Sequence, residues 1–406
     1  MSLHERFPYQ REWLGDIDRS LAETVTRWAE KEVIAKRLEH GEDFDALLVP
    51  AMRSLYVDIG LQSLVFPEEA GGSGLCDPSL AVTAAAVLEQ VGVADVGLGI
   101  LLANSFAVQS AIGIEPFRNN GLMNEIAAHF DFSQPVIWSL VLPQYGENDD
   151  TPTQAFHGLN APAQIRAVDY GFVLNGKGVR PQVAGADADG FAVLCATENG
   201  EPALALVPGN AKGLTHGKTQ ATTGLAVSHD ADITLTDVRI PASHLVFTGA
   251  PRTEEFLSMY RLCCTATITG ALFSGWRILK EWGETRVIKG KGQVFKENPL
   301  TASLMGKIAG NIGIARLLTY DLARLVANRQ EGAALYPTAV NISTNVAELA
   351  ISALDHTMEL MASAGYATEW QLERYWRDVK TVQTRLSPLP DSRITVARHA
   401  FDLQTL

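Results

Sequence analysis

Phe191-Ala-Val-Leu-Cys195, Glu198-Asn199-Gly200 and Ala203-Leu-Ala-Leu-Val207 follow one another in the middle of the chain. Two short apolar runs flank a turn of the residues that favour turns, which predicts a β-hairpin. Working outward, Phe172-Val173-Leu174 runs into Asn175-Gly176, a second hairpin signal. Ile233-Thr234-Leu235-Thr236 and Val238-Arg239-Ile240 alternate at strand period and stop at Pro241. Strands at this spacing predict an antiparallel sandwich or small barrel of about 110 residues. On either side the period changes to that of helices. Leu21 to Leu38 is amphipathic, and an Ala-rich helix is expected from Ala81 through Val91, with Ser79 as its cap. Tyr260 to Trp282, Leu300 to Ala327 and Val346 to Met361 repeat apolar residues every three or four positions. The expected fold class is therefore α+β: an N-terminal α-helical domain (1–134), a central antiparallel β domain (135–249) and a C-terminal four-helix bundle (250–406).

Composition narrows the function. Among 406 residues, 47% are hydrophobic and 19% charged, enough for a large core without disulfides. A net charge of −13 argues against nucleic acid as a partner. The four cysteines make no CxxC pair, so they read as buried, reduced thiols of a cytoplasmic protein. The first residues carry no apolar signal-peptide core. Leu98 to Ile114 is interrupted by Asn104, Ser105 and Gln109 and reads as a buried helix, not a membrane span. Gly171 to Lys177 imitates a P-loop, but Gly178 stands where a hydroxyl must meet magnesium. GxGxxG, HExxH and GxSxG motifs are absent, and none of the nine histidines lies three or four residues from another, so no metal site is expected.

Several local segments go further. Pro67-Glu-Glu-Ala-Gly-Gly-Ser-Gly-Leu75 matches the PEExGGxGL turn of the acyl-CoA dehydrogenase family, and Val87-Leu88-Glu89-Gln90 is similar to the helix that follows it. Ala362-Ser-Ala-Gly365-Tyr366 and Arg374-Tyr-Trp-Arg377-Asp378-Val-Lys380 resemble the family's Gly-rich turn and its RxxRDxx segment. Together with the helical–β–helical order, the resemblance spans nearly the whole chain. It implies an FAD-dependent oxidoreductase acting on the CH–CH group of an acyl-CoA. It also implies an electron-transferring flavoprotein as partner, and an oligomer of like or related subunits. By position it assigns FAD contacts to Trp138, Leu140, Val141, Gln182, Arg286 and Gly365, and a substrate-side role to Arg261.

The departures from the family pattern concern the chemistry. The flavin loop falls on Val141 to Asp149, where only Pro143 and Gly146 match, and a second flavin segment falls on Arg180-Pro181-Gln182 without its usual hydroxyl. The family's catalytic glutamate position, counted from Arg377-Asp378, is Leu386; the position used by other members is Tyr260. Leucine does not titrate and tyrosine titrates near ~10, so neither suits removal of a carbon-bound proton at neutral pH. Glu255, Asp391 and Glu147 are the acidic candidates to replace it. The same resemblance leaves open a non-catalytic partner subunit, or a monooxygenase that uses reduced flavin.

Overall fold

The computed structural model describes residues 6–8, 14–40, 43–143, 159–328, 335–386 and 389–403. Helix α1 (Asp16–Trp28) leads through irregular helical turns into α2 (Phe44–Arg53). The PEE turn follows, with Gly71 and Gly74 at φ +77° and +66°, a backbone region that glycine enters without strain. Two apolar helices come next, α3 (Leu80–Ala94) and α4 (Val96–Gly113), then the short α5 (Asn120–His129). Ser79 does not cap α3: it is already helical, and its N–H donates to Asp77 Oδ1 at 2.8 Å.

The central segment forms one sheet of eight strands: β1 (Trp138–Val141), β2 (Gln164–Val168), β3 (Gly171–Val179), β4 (Gly190–Ala196), β5 (Pro202–Pro208), β6 (Leu214–His216), β7 (Ile233–Ile240) and β8 (Leu245–Thr248). The β4–β5 hairpin forms where expected, with Ala196 opposite Pro202 across the 198–200 turn. The sheet is mixed, however, because β1 and β2 both pair with β4 in parallel. Asn175-Gly176 is not a turn. It lies inside β3, and the tight turn sits before it at Asp169-Tyr170, where Tyr170 takes φ +70°. Asn175 instead exchanges hydrogen bonds with Asp237 of β7: its Nδ2 donates to Asp237 Oδ1, and Asp237 N–H donates to its Oδ1.

The last third begins with α6 (Ala250–Thr285), followed by α7 (Pro299–Ala327), α8 (Leu335–Met361), α9 (Leu372–Leu386) and α10 (Leu389–Ala400). At 36 residues α6 runs about 54 Å. It packs so tightly on α3 that a Cβ on Gly92 would stand 2.1 Å from the Thr267 carbonyl oxygen. Both α4 and α6 are long and apolar enough to cross a bilayer, yet 94% and 100% of their apolar windows are buried inside the fold; they are its core.

Two buried charge clusters join the layers. Glu89 on α3 and Arg316 on α7 are each 1% exposed and pair twice, at 2.9 and 2.7 Å; Arg316 also donates to the Phe7 carbonyl. Asp95 caps α4 through the Leu98 N–H and pairs with Arg374 of α9. Arg374 also approaches Asp378, whose carboxylate accepts from the Leu225 N–H in the segment before β7. At the surface His229 bridges Asp187 at 2.6 Å and Asp45 at 3.3 Å, tying the sheet's loops to α2.

Removing one partner of a buried ion pair strands the other charge. Arg316→Met is therefore expected to cost about 3–5 kcal/mol in chemical denaturation, with much of it regained in Glu89→Leu/Arg316→Met. The hydrogen bond to Asp187 is the main cause that raises the His229 pKa above its ordinary value, with smaller help from Asp45. A raised folded pKa contributes stability that is present below the unfolded value of ~6.5 and lost as pH rises through the folded one. Stability should thus fall from pH ~6 upward by an amount that disappears in His229→Ala, read as the difference between two denaturation series.

Candidate active site

A cavity of about 390 Å³ opens where the sheet meets the bundle. Its helical wall starts with Leu257, Tyr260 and Arg261, three and four residues apart and so on one face of α6. Tyr336 of α8 and Leu386 at the end of α9 complete this side, and Asp391 and Thr395 of α10 close it. The sheet side is made by Leu142 and Pro143 after β1, by Arg180, Pro181 and Gln182 after β3, and by Asp230 and Asp232 before β7. The two positions at which a glutamate was sought, Leu386 and Tyr260, thus face one space from different helices.

Arg261 sets the position of Leu386. Its guanidinium is buried, donating to Ser343 Oγ at 3.0 Å and to the Leu386 carbonyl oxygen at 3.0 Å. That carbonyl belongs to the last turn of α9, where backbone acceptors have no partner within the helix. One side chain therefore ties α6, α8 and the end of α9 together at the cavity wall. Next to it, Arg385 reaches across to the sheet, where it pairs with Asp230 and donates to the Gln182 carbonyl. Arg180 grips Asp232 through two bonds, at 2.8 and 3.3 Å. The Gln182 N–H donates to the Leu140 carbonyl at 2.8 Å, while its buried Oε1 has no partner among the described residues.

The titrating groups divide clearly. Tyr260 is buried against Cys264, and burial lifts its hydroxyl pKa well above 10, so it keeps its proton. Burial pushes the Cys264 and Cys195 thiols up to about 12, which makes them inert. Asp391 is only half-buried, yet loss of solvation raises its pKa above the ordinary aspartate value. Glu255 is outside the cavity. It pairs with Arg252 at 2.9 Å beside a separate, much smaller crevice. Glu147 lies outside the described residues.

Five of the six residues expected to meet a cofactor are not in the wall. Trp138, Leu140 and Val141 are buried in β1, and the Trp138 ring packs on Phe130 with centroids 5.5 Å apart. Gly365 is buried in the turn after α8, where a Cβ would stand 2.6 Å from the Met358 carbonyl oxygen. Arg286 is exposed at the C-cap of α6, 26 residues beyond Tyr260 and so about 39 Å along the helix. Gln182, Arg261, Leu386, Tyr260 and Asp391 do meet in the cavity. Arg180, from the expected second flavin segment, is in the wall too, while Asp230, Asp232, Tyr336 and Arg385 are wall residues that the sequence did not announce.

Comparison with known proteins gives a consistent picture. The model of the acyl-CoA dehydrogenase N-terminal domain matches residues 16–121, and that of the C-terminal domain matches residues 248–384. A probable acyl-CoA dehydrogenase of Bacillus subtilis is 23% identical over 393 residues, covering 93% of this chain and 96% of that protein. Butyryl-CoA dehydrogenase from Megasphaera elsdenii has the same fold, with a TM-score of 0.77, 18% identity and coverage of 96% and 99%. So does a glutaryl-CoA dehydrogenase from Mycobacterium smegmatis solved with FADH2, with a TM-score of 0.78, 17% identity and coverage of 98% and 97%. The two matched domains make up more than half of the sequence and enclose the segment that forms the sheet, and on this ground the chain belongs to the acyl-CoA dehydrogenase family.

Proposed function

We propose that the protein is an FAD-dependent oxidoreductase of the acyl-CoA dehydrogenase type, acting on the CH–CH group of an acyl thioester. The observation that carries this reading is the shared cavity. It brings the flavin-side segment at Gln182 together with both family base positions, Leu386 and Tyr260.

The wall suits a flat, mostly apolar ring that carries N–H donors. Leu142, Pro143 and Pro181 supply apolar faces, and the unpartnered Gln182 Oε1 supplies an acceptor. These residues would hold the flavin, which when bound accepts a hydride from the substrate's β-carbon. Leu257, Tyr260, Tyr336 and Leu386 offer the acyl chain a surface from which water is excluded. Arg261 adds a buried positive charge, which favours the negative charge that develops on the thioester carbonyl as the α-proton leaves. Arg286 is too remote to serve the same cavity. Its exposed guanidinium suits a phosphate of cofactor held at the boundary with a second subunit. Reduced flavin would then be reoxidised by an electron-transferring flavoprotein.

The purified protein is expected to be yellow, to release FAD on denaturation, and to bleach anaerobically when an acyl-CoA is added. A colourless protein that takes up FAD only with a related chain would replace this reading with that of a partner subunit. Oxygen consumption with supplied reduced flavin, without bleaching by acyl-CoAs, would replace it with a monooxygenase. Arg286→Ala should weaken FAD binding in an equilibrium titration; unchanged affinity removes its phosphate role. Leu386→Glu should speed bleaching by straight-chain acyl-CoAs, by up to the ~10²–10⁴-fold that a placed general base supplies.

A further inference from the structure

We propose that Arg385 is a positioning residue of the cavity: it fixes Gln182 on the sheet side, so that the Gln182 amide is presented to the flavin that the cavity would hold. The proposal rests on the reading of the cavity as a flavin site and adds to it a residue from the opposite wall. Arg385 is the last residue but one of α9, next to Leu386. Its guanidinium pairs with both carboxylate oxygens of Asp230. The nitrogen that faces Asp230 Oδ1 at 3.2 Å also donates to the Gln182 carbonyl oxygen. The two charged side chains are 19% and 13% exposed, so water and salt do little to weaken the pair.

Both ends of this bridge are anchored. On the helical side, Arg261 donates to the Leu386 carbonyl and to Ser343 of α8, each at 3.0 Å. On the sheet side, Asp230 Oδ1 accepts from Ser228 Oγ at 2.8 Å, and the Asp230 carbonyl accepts from the Gln220 N–H at 2.7 Å. The Gln182 N–H is bound to the Leu140 carbonyl of β1 at 2.8 Å. A series of hydrogen bonds, joined through the Arg385–Leu386 peptide, therefore runs from α8 through α6 and α9 to β1. Arg385 supplies its crossing from bundle to sheet.

Gln182 is the residue this bridge serves. Its backbone N–H and carbonyl are both committed, which fixes the direction in which its side chain leaves the chain. Gln182 is 8% exposed and lines the cavity, and its buried Oε1 has no partner among the described residues. A buried acceptor without a partner is costly, which marks it for a donor on a ligand. Arginine suits the bridging task because its rigid, planar fork holds two acceptors in a set geometry, whereas a lysine ammonium has no fixed plane.

The test is a mutant cycle on FAD binding by the full chain. Wild type, Arg385→Lys, Gln182→Ala and the double variant, each freed of flavin, are titrated with FAD, and the visible spectrum of the bound flavin is recorded. Gln182→Ala keeps the backbone bonds and removes only the amide. It is expected to weaken FAD binding about 2- to 13-fold, the worth of one hydrogen bond, and to shift the flavin band. Arg385→Lys should change affinity and spectrum in the same direction. The double variant should match Gln182→Ala alone, because Arg385 acts through the side chain already removed. A merely structural arginine would weaken binding equally with and without that side chain. Wild-type affinity in Arg385→Lys or in Gln182→Ala overturns the assignment, and so does a loss in Arg385→Lys that adds to that of Gln182→Ala. In each of these cases wild type still binds FAD, and the flavin reading stands. Wild type that binds no FAD overturns the flavin reading and the assignment with it. Should Arg385→Lys not fold, Asp230→Asn takes its place in the cycle. It keeps the guanidinium and removes the charge that aims it, and the same lack of additivity is expected.

Discussion

The arrangement of this protein depends on the buried cluster of Asp95, Arg374 and Asp378. Asp95 starts one core helix, Arg374 and Asp378 sit one turn apart on α9, and Asp378 holds the Leu225 N–H. Three parts of the chain that are far apart in sequence meet there: the N-terminal helices, the bundle and the segment that feeds β7. Charges placed so deep are costly to desolvate, and they persist because each finds several partners. Burial, reinforced by the nearby Asp95, lifts the Asp378 pKa above the ordinary aspartate value. α9 runs directly from Asp378 to Leu386, so one helix carries both the cluster and a wall residue of the cavity.

The helical thirds and the 198–200 hairpin were legible because their signals are local. Periodicity over a dozen residues, or a turn of three, carries its own information. The parallel pairings of β1 and β2 with β4 were not, since nothing in a short strand states which distant strand it joins. Asn175-Gly176 shows the limit of dipeptide signals. The pair sits within β3, where Asn175 bonds Asp237 across the sheet and the ladder to β7 shifts register around Gly176.

The site divides in the same way. Counting from Arg377-Asp378 placed Leu386 in the cavity, because a helix converts spacing into position. The flavin contacts expected of Trp138, Leu140 and Val141 fell on a strand whose residues are all buried, while Leu142 and Pro143 just beyond it reach the wall. Arg385 and Asp230 stand 155 residues apart, so their pairing had no trace in the sequence. Asp391 read as one more surface carboxylate, and only the packing of α10 against the bundle gives it a different environment.

Arg261 holds the backbone of Leu386 and not its side chain. The scaffold thus separates support from chemistry: the path of the chain is fixed by an arginine on another helix, and the residue mounted there is free to vary. A site built this way can discard a reactive group without losing its shape, and can acquire one again by a single exchange. Within one architecture, active, silent and re-specialised descendants then lie a few substitutions apart, and the arginine is the part that all of them would have to keep.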